Sequence, residues 1–255
     1  ALPISLGALA GDGITTGSKN VAIGRAALSA PTTSNGNVAV GYAAGLALTG
    51  ASNISIGTSS MNTAADVNSC TVVGHNALYT ANENDVNGTV AIGSGAAYNF
   101  APTGGAGQIA GSVIIGFHAG YDDSSAGRGL TTGVGNTAVG HESLGADAGA
   151  ALTGGYNTVM GYRAGNALTG SAGNNTLLGH KAGLLVTGSQ NTLIGKNAGD
   201  SLTSQTSNIC IGYNSDGAAS NYQIAIGHNA ETQNPKEVRI GHKGGFQFYS
   251  MEVDV

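Results

Sequence analysis

The sequence predicts an all-β fold, a parallel β-solenoid of about 14 short coils stacked along one axis. Three observations predict it: a short motif that recurs along the chain, a glycine at a fixed place in that motif, and small side chains throughout. Gly accounts for 44 of 255 residues and charged residues for 9%, against about 7% and about 25% in ordinary globular domains. This composition favours a repeat dominated by its backbone over an ordinary enzyme domain.

The motif consists of a polar residue, a β-branched residue, a small or aliphatic residue, a large aliphatic residue and Gly. Its thirteen copies begin at Asn20, Asn37, Asn53, Cys70, Thr89, Ser112, Asn136, Asn157, Asn175, Asn191, Asn208, Gln223 and Glu237. Pro3 to Gly7 is a degenerate further copy, and the spacing averages about 18 residues, which indicates a solenoid. We therefore predict a lead-in over 1–19, a repeat region over 20–243, and a C-terminal β cap or junction to a missing domain over 244–255.

Each motif predicts one short strand that is closed by its glycine. The second and fourth residues, such as Val21 and Ile23, share one face because side chains alternate along a strand. We call these positions the β-branched column and the aliphatic column, and we predict that both face the chain's own core. The glycine would provide a positive φ or a close backbone contact, and the asparagines would stack as an amide ladder. Segments such as Leu48-Thr49-Gly50 are predicted to form a second strand in each coil.

The third residue of each motif, the middle column, should point to the opposite face. It is apolar in every copy except at Ser55 and Arg239. A strand that is apolar on both faces is normally covered on both faces. We therefore expect neighbouring chains to cover the middle column.

Threonines in successive coils suggest a binder of ice or crystal surfaces. They are Thr137, Thr158, Thr176 and Thr192. All four belong to the β-branched column, which is predicted to face the core. We therefore expect them to lie inside, which argues against this function.

Charge and cysteine content exclude several classes of partner and site. A net charge of −5 gives no electrostatic footprint for nucleic acid, and no apolar run is long enough to insert into a membrane. Cys70 and Cys210 lie seven repeats apart, about 34 Å at the strand spacing of a sheet, so no intrachain disulfide is expected. The chain contains no nucleophile elbow, phosphate loop or zinc-protease motif, and we expect no cofactor, metal or catalytic residue.

The residue after each motif glycine forms a third set of candidates, which we call the ring column. Its rings are Tyr42, His75, Phe117, His141, Tyr162, His180, Tyr213, His228 and His242. At about 4.8 Å between strands, these rings would either pack on one another as a ladder or form a ridge that stacks on receptor sugars.

Two further groups are candidates for recognition. The longer coils carry Glu83, Asp85, Asp122, Asp123, Arg128 and Asp147. Loops on a rigid scaffold often carry recognition, but these side chains would equally serve as solvated loops, and nothing fixes their carboxylates in a catalytic cleft. Near the end of the chain, Phe246, Phe248 and Tyr249 leave the glycine register. They predict either a terminal cap or a fibre tip that contacts the receptor.

The motifs resemble those of two related families. Asn-Thr-Ala-Val-Gly at Asn136, Asn-Thr-Leu-Leu-Gly at Asn175 and Asn-Thr-Leu-Ile-Gly at Asn191 resemble the repeats of bacteriophage tail-fibre proteins. Asn-Val-Ala-Ile-Gly at Asn20 is similar to the heads of trimeric autotransporter adhesins. The resemblance implies a left-handed β-roll assembled as a homotrimer, with no catalytic residues. It also implies that the missing domain after 244–255 is a cleaved intramolecular chaperone.

The resemblance also sets the functional expectation. It implies a structural and adhesive segment of an extracellular phage tail fibre, which presents a surface for a host glycan or protein receptor. The alternative is the head of a trimeric adhesin on a bacterial cell surface. A tailspike that depolymerises glycans is a weaker third interpretation.

Overall fold

The computed structural model describes residues 3–30, 33–81, 86–100, 110–121, 133–144, 152–242 and 247–248. Its strands are β1 (Ile4–Leu6), β2 (Val21–Ile23), β3 (Val38–Val40), β4 (Ile54–Ile56), β5 (Thr71–Val73), β6 (Thr80–Ala81), β7 (Val90–Ile92), β8 (Asn99–Phe100), β9 (Val113–Ile115), β10 (Thr137–Val139), β11 (Thr158–Met160), β12 (Thr176–Leu178), β13 (Thr192–Ile194), β14 (Ile209–Ile211), β15 (Ile224–Ile226), β16 (Val238–Ile240) and β17 (Gln247–Phe248). The described residues contain no α-helix.

The fourteen motif strands and β17 form one 15-stranded sheet, in which each motif strand pairs with the motif strand of the next coil. Pairing is parallel and in register from β1 to β16, with Val21 opposite Val38 and Ala22 opposite Ala39, for example. Only β17 runs antiparallel, with Phe248 opposite Val238. The predicted parallel β-solenoid is therefore confirmed.

The two faces of this sheet are reversed relative to our prediction. The middle column is fully buried from Ala22 to Ala225, while the β-branched and aliphatic columns are half-buried or exposed, as in β2 and β4. The chain's own core thus lies behind the middle column, which carries Ala in five copies but also Leu177 and Leu193, and the β-branched and aliphatic columns point outward. The physical reason is space, because a coil this narrow has room inside mainly for small groups.

Correspondingly, the four threonines do not lie inside. Thr137, Thr158, Thr176 and Thr192 are half-buried on the outward side of β10 to β13. The prediction that they face the core was wrong for the same reason as the assignment of the two columns.

In several coils, the sizes of the side chains at two core positions compensate for each other. Where the middle column carries Leu177 or Leu193, the residue six positions later is glycine, and a Cβ at Gly199 would lie 2.6 Å from Leu193 Cδ1. Where the middle column carries Ala22, the sixth residue is Leu28, which is fully buried. In these coils a large side chain at one position is matched by a small residue at the other, whereas Ala39 with Gly45 and Ala91 with Ala97 are small at both positions.

The two polar residues of the middle column have local partners. Ser55 Oγ lies 2.7 Å from Ser60 Oγ, and Ser60 is itself buried. In the last coil, Arg239 Nη2 lies 3.0 Å from Glu237 Oε1, and both side chains are nearly fully buried. Polar groups can therefore occupy the core where a second polar residue satisfies them.

The motif glycines stack backbone on backbone, as predicted. Gly179, for example, has φ +136°, and a Cβ there would lie 2.5 Å from the carbonyl oxygen of Gly195. Both the torsion angle and the space therefore require glycine.

The predicted amide ladder is present and buried. Asn157 Oδ1 accepts hydrogen bonds from the backbone N–H and the side chain of Asn175, each at 3.0 Å. Asn175 Oδ1 in turn accepts from the backbone N–H of Asn191 at 2.9 Å. The side chain of each asparagine thereby holds the backbone of the following coil.

The predicted second strand of each coil is mostly wrong. Leu48 and Leu168 are buried, but their segments contain no strand, and Leu152 forms only an isolated bridge to Gly170. The second sheet consists of β6 and β8 alone. A Cβ at Gly50 would overlap Val67 O, so the backbones there approach too closely for a regular ladder.

Candidate functional site

The ring column forms stacks on the solvent-exposed surface of the solenoid. Its nine rings are all exposed, and Phe117 retains 47% of its accessible surface. The longest continuous stack follows Phe117, His141, Tyr162 and His180, with ring centroids 5.1–5.2 Å apart. The rings therefore pack coil on coil while their edges remain accessible.

The remaining positions of the column extend this ridge. Tyr213, His228 and His242 form a second stack, with centroids 5.2 and 5.8 Å apart. Lys196 Nζ lies 5.6 Å from the centroid of Tyr213, and Arg25 Cζ lies 5.8 Å from that of Tyr42. Contact between this ridge and a receptor stays a prediction.

The sequence analysis missed an aromatic stack that lies outside the ring column. Tyr79, Tyr98 and Tyr121 stack with centroids 5.2 and 5.3 Å apart. His118 joins this stack to the ring column, because its ring lies 3.9 Å from both Phe117 and Tyr121. The signal was present in the sequence, since each of the three tyrosines follows its motif glycine by five residues.

The other predicted recognition residues fall largely outside the described residues. This applies to Glu83, Asp85, Asp122, Asp123, Arg128, Asp147, Phe246 and Tyr249. Phe248 belongs to β17, which pairs with the last coil.

The face that carries the β-branched and aliphatic columns, which we call the outer face, is the second candidate surface. It extends over the fourteen parallel motif strands, and Ile54, Ile56, Ile92, Met160 and Ile240 are among its exposed side chains. Monomeric soluble proteins rarely expose apolar patches larger than a few hundred Å². An apolar sheet face of this length points to an interface.

Both cysteines are free and buried. Cys70 Sγ donates to Val86 O at 3.1 Å, and burial raises the pKa of its thiol. Burial and the nearby charge of Asp216 raise the pKa of Cys210 to about 12. These thiols are therefore poor nucleophiles near neutral pH.

The described residues offer no metal site and no membrane-spanning helix. No group of three or more His, Cys, Asp or Glu side chains among them could hold a metal ion. Likewise, no helix in the described part of the chain is long and apolar enough to cross a membrane.

An open polar cleft lies near the C-terminal coils. Its volume is about 310 Å³, and Asn214, Asp216, Asn229, Glu231 and His242 line it. Burial raises the pKa of Asp216, although hydrogen bonds from Ser201 and Gly217 counteract part of the rise.

No family model and no curated protein matches this chain. The functional assignment therefore depends on the surfaces described above and on the repeat motif.

Proposed function

We propose that the chain is a structural and adhesive segment of an extracellular phage tail fibre, a β-roll that assembles as a homotrimer and presents a host-receptor-binding surface. The observation that carries this proposal is the outer face. A parallel sheet that is apolar on both faces is normally covered on both, and the chain's own core covers only one.

Two further copies of the same chain are the occupants that best fit the outer face. With fourteen strands at about 4.8 Å spacing and three residues at about 3.3 Å each, the face measures about 65 by 10 Å. That is about 650 Å², slightly above the roughly 300–600 Å² of the largest apolar patch on a typical monomer. Its lack of charged side chains favours a permanent assembly, whose interfaces are the more hydrophobic.

Sedimentation equilibrium of the wild type and two variants tests the assembly. Ile56→Asp places a charge on the outer face, where Ile56 is 37% exposed in the single chain. Leu185→Asp is the matched control, because Leu185 is 49% exposed but belongs to neither column of the outer face. We expect a trimer for the wild type and the control, and monomers for Ile56→Asp. A wild type that stays monomeric at micromolar concentration would overturn the assembly.

Receptor binding is tested separately, with envelope fractions of bacterial hosts. We expect the wild type to bind a fraction of one host, and Ala substitutions at Tyr162 and His180 to weaken that binding. Binding to none of the fractions would contradict the adhesive role.

The alternative is that the chain forms the head of a trimeric adhesin on a bacterial cell surface. A neighbouring gene segment for a membrane anchor would favour this alternative, and neighbouring virion genes would favour the fibre. The depolymerase interpretation predicts shortened glycans after incubation with host capsule or lipopolysaccharide. We expect no shortening.

The outward threonines provide one observation in favour of an ice-binding surface. They pair in register on neighbouring strands, each opposite the next, in the order Thr137, Thr158, Thr176 and Thr192. The neighbouring aliphatic column is uneven, however, since Val139, Met160 and Leu178 differ in length. We therefore expect no thermal hysteresis, and a measurable value would favour this second function.

A further inference from the structure

The ring column contains a gap at Ser94. His75 and Phe117 lie in the coils before and after Ser94, so their backbones are about 10 Å apart at the usual strand spacing. Neighbouring rings of the continuous stack are 5.1–5.2 Å apart. The ring of His118 covers one face of Phe117, with centroids 3.9 Å apart, and His141 covers the other, so the space left at Ser94 is open on the side of His75.

An open cleft of about 230 Å³ occupies this place. Its lining includes His75, Asn76, Ser94, Tyr98, His118 and Tyr121. Gly95 forms part of the same wall, and a Cβ there would lie 2.6 Å from His118 Cδ2. The volume is below the roughly 300 Å³ at which pockets for drug-sized ligands begin, so it suits a single small ring.

Two walls of the cleft are formed by rings that contact one another, with the Tyr98–Tyr121 pair tilted by 34°. Tyr98 lies between Tyr79 and Tyr121, with centroids 5.2 and 5.3 Å away. His118 lies between Phe117 and Tyr121, 3.9 Å from each. Walls that are ordered before a ligand arrives lower the entropic cost of binding.

The opposite side of the cleft carries polar groups that a ligand could satisfy. We find no hydrogen bond from the side chains of His75, Asn76 or Ser94 to the described part of the chain. His75 is exposed and has no ring partner among the described residues. Its ring face is thus available for stacking, with an amide and a hydroxyl group beside it.

The chemistry of the lining selects the class of ligand. Among the described residues its lining contains no carboxylate, Lys or Arg, so these residues offer no countercharge to an anionic sugar or phosphate. Aromatic faces with a few hydrogen-bonding groups suit a ring that has apolar faces and a polar rim. A neutral hexose has these properties.

We propose that this cleft binds one neutral hexose unit against His75, with Ser94 and Asn76 hydrogen-bonded to its hydroxyl groups. The inference rests on the proposed adhesive function, for which the cleft supplies a sugar subsite. It assigns recognition to one place on the side of the fibre.

Saturation-transfer NMR with free hexoses tests the subsite on the full chain. The probes are glucose, galactose, mannose and N-acetylglucosamine at millimolar concentration, with glucuronic acid as the anionic comparison. Ser94→His inserts the residue type most frequent in this column and should complete the ring stack while filling the cleft. Thr58→His is the matched control, because Thr58 is also a ringless position of the column, but its coil has Asn62 where the three following coils have tyrosine.

We expect at least one neutral hexose to bind the wild type and Thr58→His equally, and Ser94→His to bind it about tenfold more weakly or not at all. His75→Ala removes an exposed side chain and should give the same loss without affecting folding, as circular dichroism would verify. The proposal is overturned if no neutral hexose binds, if all variants bind equally, or if glucuronic acid binds best. If the wild type bound no hexose but still bound host envelope, the sugar subsite would be wrong and the adhesive function would still hold.

Discussion

The coils from Asn157 to Asn208 and those from Cys70 to Ser112 use the same backbone for different purposes. In the first group the amide ladder is continuous. In the second group Cys70, Thr89 and Ser112 replace the asparagines, yet strand pairing stays in register from β5 through β7 to β9. The glycines and strands therefore suffice for the register, and the second group carries the tyrosine stack and the cleft.

The largest expected difference in stability is between glycine substitutions in the two groups of coils. Gly179→Ala would place a Cβ 2.5 Å from the carbonyl oxygen of Gly195 at φ +136°, so we expect a loss of more than about 3 kcal/mol in the free energy of unfolding. Gly111→Ala is the control in the second group, because Gly111 has φ +72° and nothing within 4 Å. It should cost only about 1–2 kcal/mol for its left-handed torsion angle. Equal losses in urea-induced unfolding would contradict the role of backbone contact.

An intermediate effect is expected from the amide ladder. Asn175→Ala leaves the buried backbone N–H of Asn191 without its acceptor, Asn175 Oδ1, which should cost about 2 kcal/mol. Cys70→Ala removes only a thiol contact to Val86 O and should cost less than about 1 kcal/mol. If chemical denaturation showed both variants to be equally stable, the ladder would not be what distinguishes the two groups of coils.

The smallest effect concerns local opening, reported by the two thiols. We expect native-state alkylation, followed by mass spectrometry, to label Cys70 about tenfold faster than Cys210, because Cys70 itself replaces the ladder asparagine that would hold the next coil. If Cys210 were labelled faster, the coil of Cys210 would open more readily than that of Cys70, which would contradict the prediction.

The pH dependence of the Cys210 thiol follows from its raised pKa. Because that pKa is about 12 in the folded chain, against an ordinary value of 9.0, the folded state disfavours the thiolate. The contribution of the neutral Cys210 thiol to the free energy of unfolding is complete below pH 9, and it is lost as the pH rises toward 12. Relative to the wild type, Cys210→Ala should therefore lose this dependence in unfolding experiments between pH 9 and pH 11.

Much of the fold could be predicted from particular residues. The glycines that follow Ile23 and Leu178, and the asparagines at Asn157 and Asn175, sit at a fixed spacing that only a stacked parallel sheet explains. The direction of the side chains could not be predicted, because alternation within a three-residue strand gives two faces without saying which is inside. Assigning the larger side chains of Val21 and Ile23 to the core followed average hydrophobicity, and the narrow coil reverses that preference.

The candidate site was predicted only in part. The exposed stack of Phe117, His141 and Tyr162 follows directly from the ring column. The cleft at Ser94 required the structure, because it depends on His118 bridging two stacks and on Tyr98 being held between two tyrosines in neighbouring coils. The tyrosine contacts join neighbouring coils, whereas His118 is close in sequence to both of its ring partners. The periodic tyrosines therefore signal a stack, but the sequence does not specify which way the ring of His118 turns.

The sequence by itself determined the solenoid, its register and the places where glycine and asparagine are required, since these follow from strand spacing and backbone geometry. The tertiary structure alone decided which apolar face closes the core, since that depends on the volume left inside a stacked coil. It likewise decided where the ring column opens into a cleft, because a gap becomes a binding surface only when neighbouring coils supply its walls.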